Sequence, residues 1–199
     1  MLKIILKIFI YFSLLQKGII IKKADNSSEL KSIYQLRWRI YKDEGYIDQK
    51  DYSQNTLEDK YDEKSINFLA IHKNKTIGIV RLVLFSSLGF PTENAFNLKN
   101  IPHNEKNVAE LSKLCVSKEY RNKTVAMGLL KEAYRYSRGN HIHYWIIGMP
   151  ASLQERFSRL GFSFKEMPMA EIGPKQLLER RSASEYFKKA EIKPYLLKI

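Results

Sequence analysis

Residues 108–130 read VAELSKLCVSKEYRNKTVAMGLL, a mostly apolar strand, a basic turn and then an amphipathic helix. Successive side chains of a strand point to opposite faces, so this spacing puts Val108, Glu110, Ser112, Leu114 and Val116 on one face. A carboxylate on such a face costs on the order of several kcal/mol unless it is paired or its pKa moves. Glu110 is therefore either a salt-bridged structural group or an acid–base group at a site. The helix over 121–138 carries Val125, Ala126, Leu129, Leu130, Ala133, Tyr134 and Ser137 as one stripe. Its first-turn amides, with Arg121 and Lys123 beside them, make a natural phosphate site; the plainer reading is an ordinary strand-to-helix connection.

Upstream, residues 67–72 and 76–85 form a hairpin around Lys73-Asn74-Lys75. On its second strand Ile77, Ile79, Arg81, Val83 and Phe85 share a face, so Arg81 is a cation among apolar groups as Glu110 is an anion among them. If the strands are neighbours, Arg81 and Glu110 or Asp62 neutralise each other. Residues 45–64, GYIDQKDYSQNTLEDKYDEK, form a long polar loop of the kind that is functional or mobile. Its carboxylates are either a solvated surface or groups that bind a cation and orient arginines. They do not have calcium-loop spacing. Asn26, Ser27 and Ser28 with Glu29 are N-cap candidates for a helix that runs to about residue 44 and stops at Gly45. Leu30, Ile33, Tyr34, Trp38 and Tyr41 mark its buried face. Arg37 lies beside that face, drawn inward to a partner or lying along it. A first strand over 18–23 precedes this helix.

Downstream, 86–107 reads as a loop with a short helix near 93–98. A strand over 141–149, a helix over 151–160 ended by Gly161, a strand from Phe162 and a last helix over roughly 175–190 follow. Pro194-Tyr195-Leu196 closes the chain. The four histidines are scattered, and no metal site is expected.

A chain of 199 residues suits one domain, or one domain with an appendage. A hydrophobic fraction of 44% excludes wholesale disorder, and 12 Tyr with 10 Phe supply a core or an apolar ligand tunnel. The net charge of +13 points to nucleic acid, an anionic membrane surface, or an acidic or phosphate-bearing partner. The cations are dispersed and no nucleic-acid motif is present, so nucleic acid is set aside. The lone Cys115 permits no internal disulfide and suits a reducing compartment. No His lies near it in sequence, so it reads as a core residue rather than a nucleophile. Residues 1–17, MLKIILKIFIYFSLLQK, are too short and too interrupted by lysine to span a bilayer, and lack a clear signal-peptide cleavage site. They read as an amphipathic helix that lies on a membrane or packs on the protein's own core.

The order strand, helix, hairpin, central strand, basic turn, helix, strand, helix, strand resembles that of the GNAT acyltransferase superfamily. The turn Arg121-Asn122-Lys123-Thr124-Val125-Ala126 resembles its pantetheine-phosphate loop, usually Arg/Gln-x-x-Gly-x-Gly/Ala; Ala126 fits and Thr124 departs. Ser158-Arg159-Leu160-Gly161-Phe162 resembles the end of the superfamily's last helix and the start of the next strand. A more specific series is Arg37 and Tyr41, Asp59-Lys60-Tyr61-Asp62, Gly78-Ile79-Val80-Arg81-Leu82 and Glu110-Leu111-Ser112-Lys113. It resembles the signature of autoinducer (acyl-homoserine-lactone) synthases and of N-acyl amino acid synthases. Tyr134–Arg138, Met149-Pro150, Gly173-Pro174 and Pro194-Tyr195 bring the resemblance nearer to the second group, with the exosortase-associated acyltransferases. It spans about residues 30–199. Lys113 departs from it, where the family usually has Arg.

The resemblance implies an α/β (α+β) GNAT fold over 18–199, a central mixed, mostly antiparallel sheet flanked by helices, with 1–17 as an added helix. It implies an acyltransferase that moves a long-chain acyl group to the primary amine of an amino acid or similar small molecule. The donor is the phosphopantetheine thioester of an acyl carrier protein or acyl-CoA, and no cofactor is tightly bound. An acidic carrier protein fits the basic chain. A carrier presents one phosphate, so the glycine missing at Thr124 matters less than it would for coenzyme A. Glu110 is the candidate base, with Arg81 as its charged neighbour. Arg37, Tyr41, Asp59, Asp62, Ser112, Lys113, Leu114, Cys115 and Val116 are candidate substrate-binding residues. Backbone amides around Leu114–Val116 would face the oxyanion. Arg121, Asn122, Lys123, Thr124, Val125 and Ala126 would hold the pantetheine phosphate. Phe157 stands where many members have a Tyr that protonates the thiolate. A cytoplasmic location is implied, with membrane-surface contact through 1–17. An acetyl-CoA-dependent acetyltransferase and a non-catalytic acyl-binding module are the alternatives.

Overall fold

The structure, a computed structural model, describes residues 14, 17–48, 52, 54–94, 107–121, 123–159, 161–167 and 192–199. Its strands are β1 (Ile19–Lys23), β2 (Ser65–His72), β3 (Lys75–Leu84), β4 (Val108–Val116), β5 (Tyr144–Pro150), β6 (Phe164–Glu166) and β7 (Ile192–Lys198). Its helices are α1 (Ser27–Asp43), α2 (Lys123–Gly139) and α3 (Ala151–Arg159). The strands form one seven-stranded sheet in the order β1-β2-β3-β4-β5-β7-β6. The pairs β1–β2, β5–β7 and β6–β7 are antiparallel, and β4–β5 is parallel. This is the mixed, mostly antiparallel α/β architecture expected. The chain divides into two compact units, Met1–Leu82 with Lys113–Tyr136, and Val83–Ser112 with Ser137–Ile199.

In the first unit, α1 begins as its sequence requires. The Asn26 side chain accepts from the Glu29 amide at 2.9 Å, and Glu29 reaches back to accept from the Asp25 amide at 2.9 Å. The helix ends at Gly45, whose φ of 70° suits glycine. The Gly45 amide bonds the Lys42 carbonyl and the Tyr46 amide bonds the Tyr41 carbonyl, the two hydrogen bonds of a Schellman cap. The buried face is Ile33, Leu36, Arg37, Trp38 and Ile40, whereas Leu30, Tyr34 and Tyr41 are only half-buried. The apolar core joins Ile33, Leu36 and Ile40 to Leu69, Ile79 and Cys115.

The hairpin turns at Lys73 and Asn74, both with positive φ, 49° and 61°, as a two-residue type I′ turn needs. Within this unit β3 is buried on both faces, by Ile77, Ile79 and Arg81 on one and Val80 and Leu82 on the other. Helix α2 packs closely over Gly78, where a Cβ would stand 3.2 Å from Val125 and from Leu129. A Cβ at Gly128 would collide with Ile21 and Leu14. The stripe on α2 keeps Val125, Leu129, Leu130 and Ala133 buried, but Tyr134 is exposed and Ala126 half-buried. Of the expected N-terminal helix only residues 14 and 17 are described. Leu14 is buried beside Gly128, which fits packing on the protein's own core. No helix among the described residues is long and apolar enough to cross a membrane.

In the second unit, Val108, Ala109 and Glu110 of β4 lie in register with Tyr144, Trp145 and Ile146 of β5. Strand β5 begins at Tyr144 rather than 141, because His141 turns the chain with a φ of 57°. The buried Ser137 hydroxyl accepts from the Trp145 indole at 2.9 Å, which explains a serine on a core-facing stripe. The closing segment is a strand: β7 lies between β5 and β6, with Pro194 opposite Gly148. Pro194 has no N–H to give, and its carbonyl accepts from the Met167 amide at 2.9 Å. A 3-10 turn stands at Pro91–Asn94, and most of the short helix expected near 93–98 lies, with residues 95–106, outside the described ones. The helix expected over 175–190 also lies outside them.

Candidate active site

In the first unit, residues from five segments meet in one polar and charged network. Arg37, carried inward by α1, donates from Nη1 to both Asp62 oxygens at 2.7 and 2.9 Å and from Nη2 to Asn67 at 2.7 Å. Arg81 on β3 donates from Nη1 to Asp59 at 2.7 Å and to Asp62 at 3.1 Å. The acidic loop is shaped to present these carboxylates. Asp62 Oδ2 accepts from the Asp59 amide at 2.8 Å, and Asp59 Oδ1 accepts from the Tyr61 amide at 3.0 Å. Lys113 follows, its Nζ 3.9 Å from Asp59 Oδ2 and 4.9 Å from the centre of the Tyr41 ring. The series Arg37, Asp62, Arg81, Asp59, Lys113 alternates in sign.

Exposure grades along it. The side chains of Arg37, Asp62 and Arg81 are 0%, 4% and 0% exposed, whereas Asp59 and Lys113 are 35% and 21% exposed. Charges this deep are tolerated only when paired and hydrogen-bonded. Burial works against the Arg81 cation, but Asp59 and Asp62 outweigh it and raise its pKa. Burial also opposes ionisation of Asp59, yet the Arg81 charge and hydrogen bond hold its carboxyl below the usual range. Lys113 goes the other way. Burial, then repulsion from Arg81, bring its ammonium down to about 8, more than Asp59 restores. Cys115 is buried, and burial pushes its thiol up to about 11, which suits a core residue and not a nucleophile.

Lys113 also departs from regular strand geometry within β4. Its φ is 54°, in the left-handed region, which an ordinary residue occupies only where the surroundings enforce it. The alternation expected along β4 therefore does not hold to its end: residues 108–111 are all buried, 112–114 are half-buried, and Cys115 is buried again. Leu114 and Val116 do not simply continue the face of Val108 and Glu110.

At the basic turn, a 3-10 segment (Lys118–Tyr120) leads into α2. Arg121 donates to Glu44 Oε1 at 2.6 Å and to the Val116 carbonyl at 3.2 Å, and is half in solvent. Thr124 and Ala126 are half-buried in the first turn of α2 and Val125 is fully buried against β3. Asn122 and the Lys123 side chain lie outside what is described. Tyr120 hydrogen-bonds His72 at 2.8 Å, tying the turn to the end of β2.

In the second unit, Glu110 is 2% exposed. Its Oε2 accepts from the Thr92 amide at 2.9 Å and from the Thr92 hydroxyl at 2.6 Å. Thr92 was not singled out from the sequence; it stands 18 residues away in a turn that only the fold brings to β4. Arg81, expected to meet Glu110 or Asp62, has Asp62 and Asp59 as its carboxylates in the first unit. Ser112 is half-buried in the second unit. Phe157 packs on Phe162 and Phe164, with ring centres 5.9 and 6.4 Å away, and carries no hydroxyl to protonate a thiolate.

No curated protein matches the chain. Among solved structures, the acyl-homoserine-lactone synthase LasI aligns with a TM-score of 0.67 at 14% identity, over 92% of this chain and 90% of its own. The N-acyl amino acid synthase FeeM from uncultured soil microbes aligns with 0.63 at 12% identity, over 91% and 90%. A GNAT-family acetyltransferase from Staphylococcus aureus Mu50 aligns with 0.56 at 19% identity, over 90% and 98%. At such identities the likeness establishes the GNAT fold. The family assignment rests on a model described as N-acyl amino acid synthase FeeM, which matches residues 32–168. That is well over half of the chain, and it carries Arg37, Asp59, Asp62, Arg81, Glu110 and Lys113: the chain belongs to the FeeM N-acyl amino acid synthase family and is an acyltransferase.

Proposed function

We propose that this acyltransferase moves a long-chain acyl group from the phosphopantetheine thioester of an acidic acyl carrier protein to the primary amine of an amino acid or similar small molecule. The observation that carries the reading is the graded network, buried at Arg37, Asp62 and Arg81 and open at Asp59 and Lys113. Asp59, fixed by buried Arg81, and the Tyr41 ring both meet the Lys113 ammonium, an arrangement that suits a small ammonium. Arg81 is assigned the task of fixing Asp59, and Arg37 that of fixing Asp62. Lys113 has a left-handed φ within β4, and backbone amides around Leu114–Val116 beyond it would face the oxyanion of the tetrahedral adduct. Arg121 and the first-turn amides of α2 would take the pantetheine phosphate, with Glu44 released from Arg121 as the phosphate arrives. The net charge of +13 favours an acidic carrier. Glu110, anchored by Thr92, is assigned a holding role within its own unit.

The test is turnover of acyl thioesters of several chain lengths, on carrier protein and on coenzyme A, with a pool of amino acids, read by mass spectrometry. A long-chain N-acyl amino acid formed at least about tenfold faster from the carrier is expected. A clear preference for acyl-CoA overturns the carrier assignment, and acetyl transfer alone overturns the long-chain assignment. Absence of any amide product with all donors overturns the reading.

A further inference from the structure

We infer that Lys113 takes the proton from the acceptor's ammonium, and that Asp59 is the anion that draws this ammonium in. The inference rests on the acyl-transfer reading above. An amine attacks a thioester only through its lone pair, so an acceptor that arrives protonated must lose a proton at the site. The groups around Asp59 and Lys113 leave few acceptors for it. Arg37 and Arg81 cannot take a proton. Asp59 is held ionised by Arg81, which makes it a good partner for an ammonium and a poor base. Asp62 is saturated by Arg37, Arg81 and the Asp59 amide. Cys115 is a buried thiol pushed up to about 11, and Tyr41 presents its ring face to Nζ.

Lys113 differs from all of these. It is half-buried, and it sits at the open end of a series holding two buried cations. Its pKa of about 8 leaves roughly a quarter of it neutral at pH 7.5. Its backbone is left-handed and its Nζ stands 3.9 Å from Asp59 Oδ2, at the open end of the network. When neutral, Lys113 no longer claims Asp59 Oδ2, and an incoming ammonium can dock between that oxygen and Nζ. One proton then passes from the ammonium to Nζ. The freed nitrogen adds to the thioester carbonyl, the C–N bond forms, and the C–S bond breaks. The second nitrogen proton leaves with the departing sulfur as thiol. Lys113 returns its proton to water past the half-exposed Asp59. The products are amide, thiol and one released proton, so atoms and charge balance.

This role fits a lysine and not an arginine at position 113, because a guanidinium carries the same charge without a usable lone pair. The experiment uses the full chain, the best thioester from the assay above, and two acceptors. One is an amino acid with an ordinary amine; the other is aminooxyacetate, whose amine is unprotonated at neutral pH. For the wild type, kcat/KM with the amino acid should rise with pH through an inflection near 8. Lys113→Arg and Lys113→Gln should lose that inflection and about 10²-fold in rate at pH 7.5, yet stay within a few-fold of wild type with aminooxyacetate. Equal losses with both acceptors would mean a structural role, and an unchanged rate and inflection in Lys113→Arg would remove Lys113 from the proton path; either overturns the inference. A second readout does not need turnover. The folded-state pKa lies below the ordinary 10.5, so the native state binds fewer protons than the unfolded one between pH 8 and 10.5. Stability should therefore gain with pH across that window, relative to Lys113→Gln. Parallel curves would overturn the inference even if Lys113→Arg lost activity through misfolding. No amide from the wild type under any condition overturns the acyl-transfer reading and this inference together, whereas amide from wild type and Lys113→Arg alike overturns the inference alone.

Discussion

Asp62 and Glu110 are both carboxylates in the interior, 7% and 2% exposed, and they accept from different kinds of donor. Asp62 receives two guanidinium groups and a backbone amide. Glu110 Oε2 accepts from the Thr92 amide and from the Thr92 hydroxyl. The first arrangement is ionic and continues outward through Asp59 to Lys113. The donors that Thr92 gives Glu110 are neutral and come from a single turn. A buried carboxylate is therefore weak evidence of chemistry by itself, and the partners decide what it is for. Guanidinium partners transmit charge to the next group, whereas a threonine anchors a loop.

The largest effect that separates the two arrangements is expected from Arg81→Met. It leaves Asp59 and Asp62 short of a cation in a dry setting and should cost about 3–5 kcal/mol in urea unfolding. A loss under about 1 kcal/mol would show that water compensates the network and would erase the contrast. Thr92→Val should cost less, about 1–3 kcal/mol, because Glu110 loses a hydroxyl donor but keeps the amide. Glu110→Gln retains an oxygen acceptor for both Thr92 donors, so turnover should fall by less than about tenfold. A fall of about 10²-fold would instead make Glu110 a proton acceptor. The smallest change in stability is expected from Arg121→Ala, which removes a solvent-facing pair with Glu44 and should move unfolding by under about 1 kcal/mol. Its effect belongs in the KM of the thioester donor, which should rise several-fold at low salt and less at high salt.

Local chemistry made much of the fold legible. Asn26, Glu29 and Gly45 delimit α1 because capping is decided within a few residues. Lys73 and Asn74 mark a tight turn between two alternating strands for the same reason. Arg81 stood out as a cation among Ile77, Ile79 and Val83, and the acidic loop before it supplied the matching carboxylates. What was hidden depends on tertiary contact. Nothing in ELSKLC announces that Lys113 takes a positive φ, because lysine has no preference for it and the surroundings impose it. Thr92 is an ordinary turn residue until the turn reaches β4. Pro194 lacks the N–H that an interior strand would use, and in β7 its carbonyl still bonds the Met167 amide.

The position of β7 has a consequence for synthesis of the protein. Strand β6 reaches the sheet through β7, although β6 is made about 25 residues earlier. While the nascent chain is still growing past residue 166, β5 has an open edge where β7 will later insert, and β6 has no neighbour beside it. The second unit can therefore finish its sheet only after residue 198 has left the ribosome tunnel, and until then its exposed edge is a natural client for a chaperone.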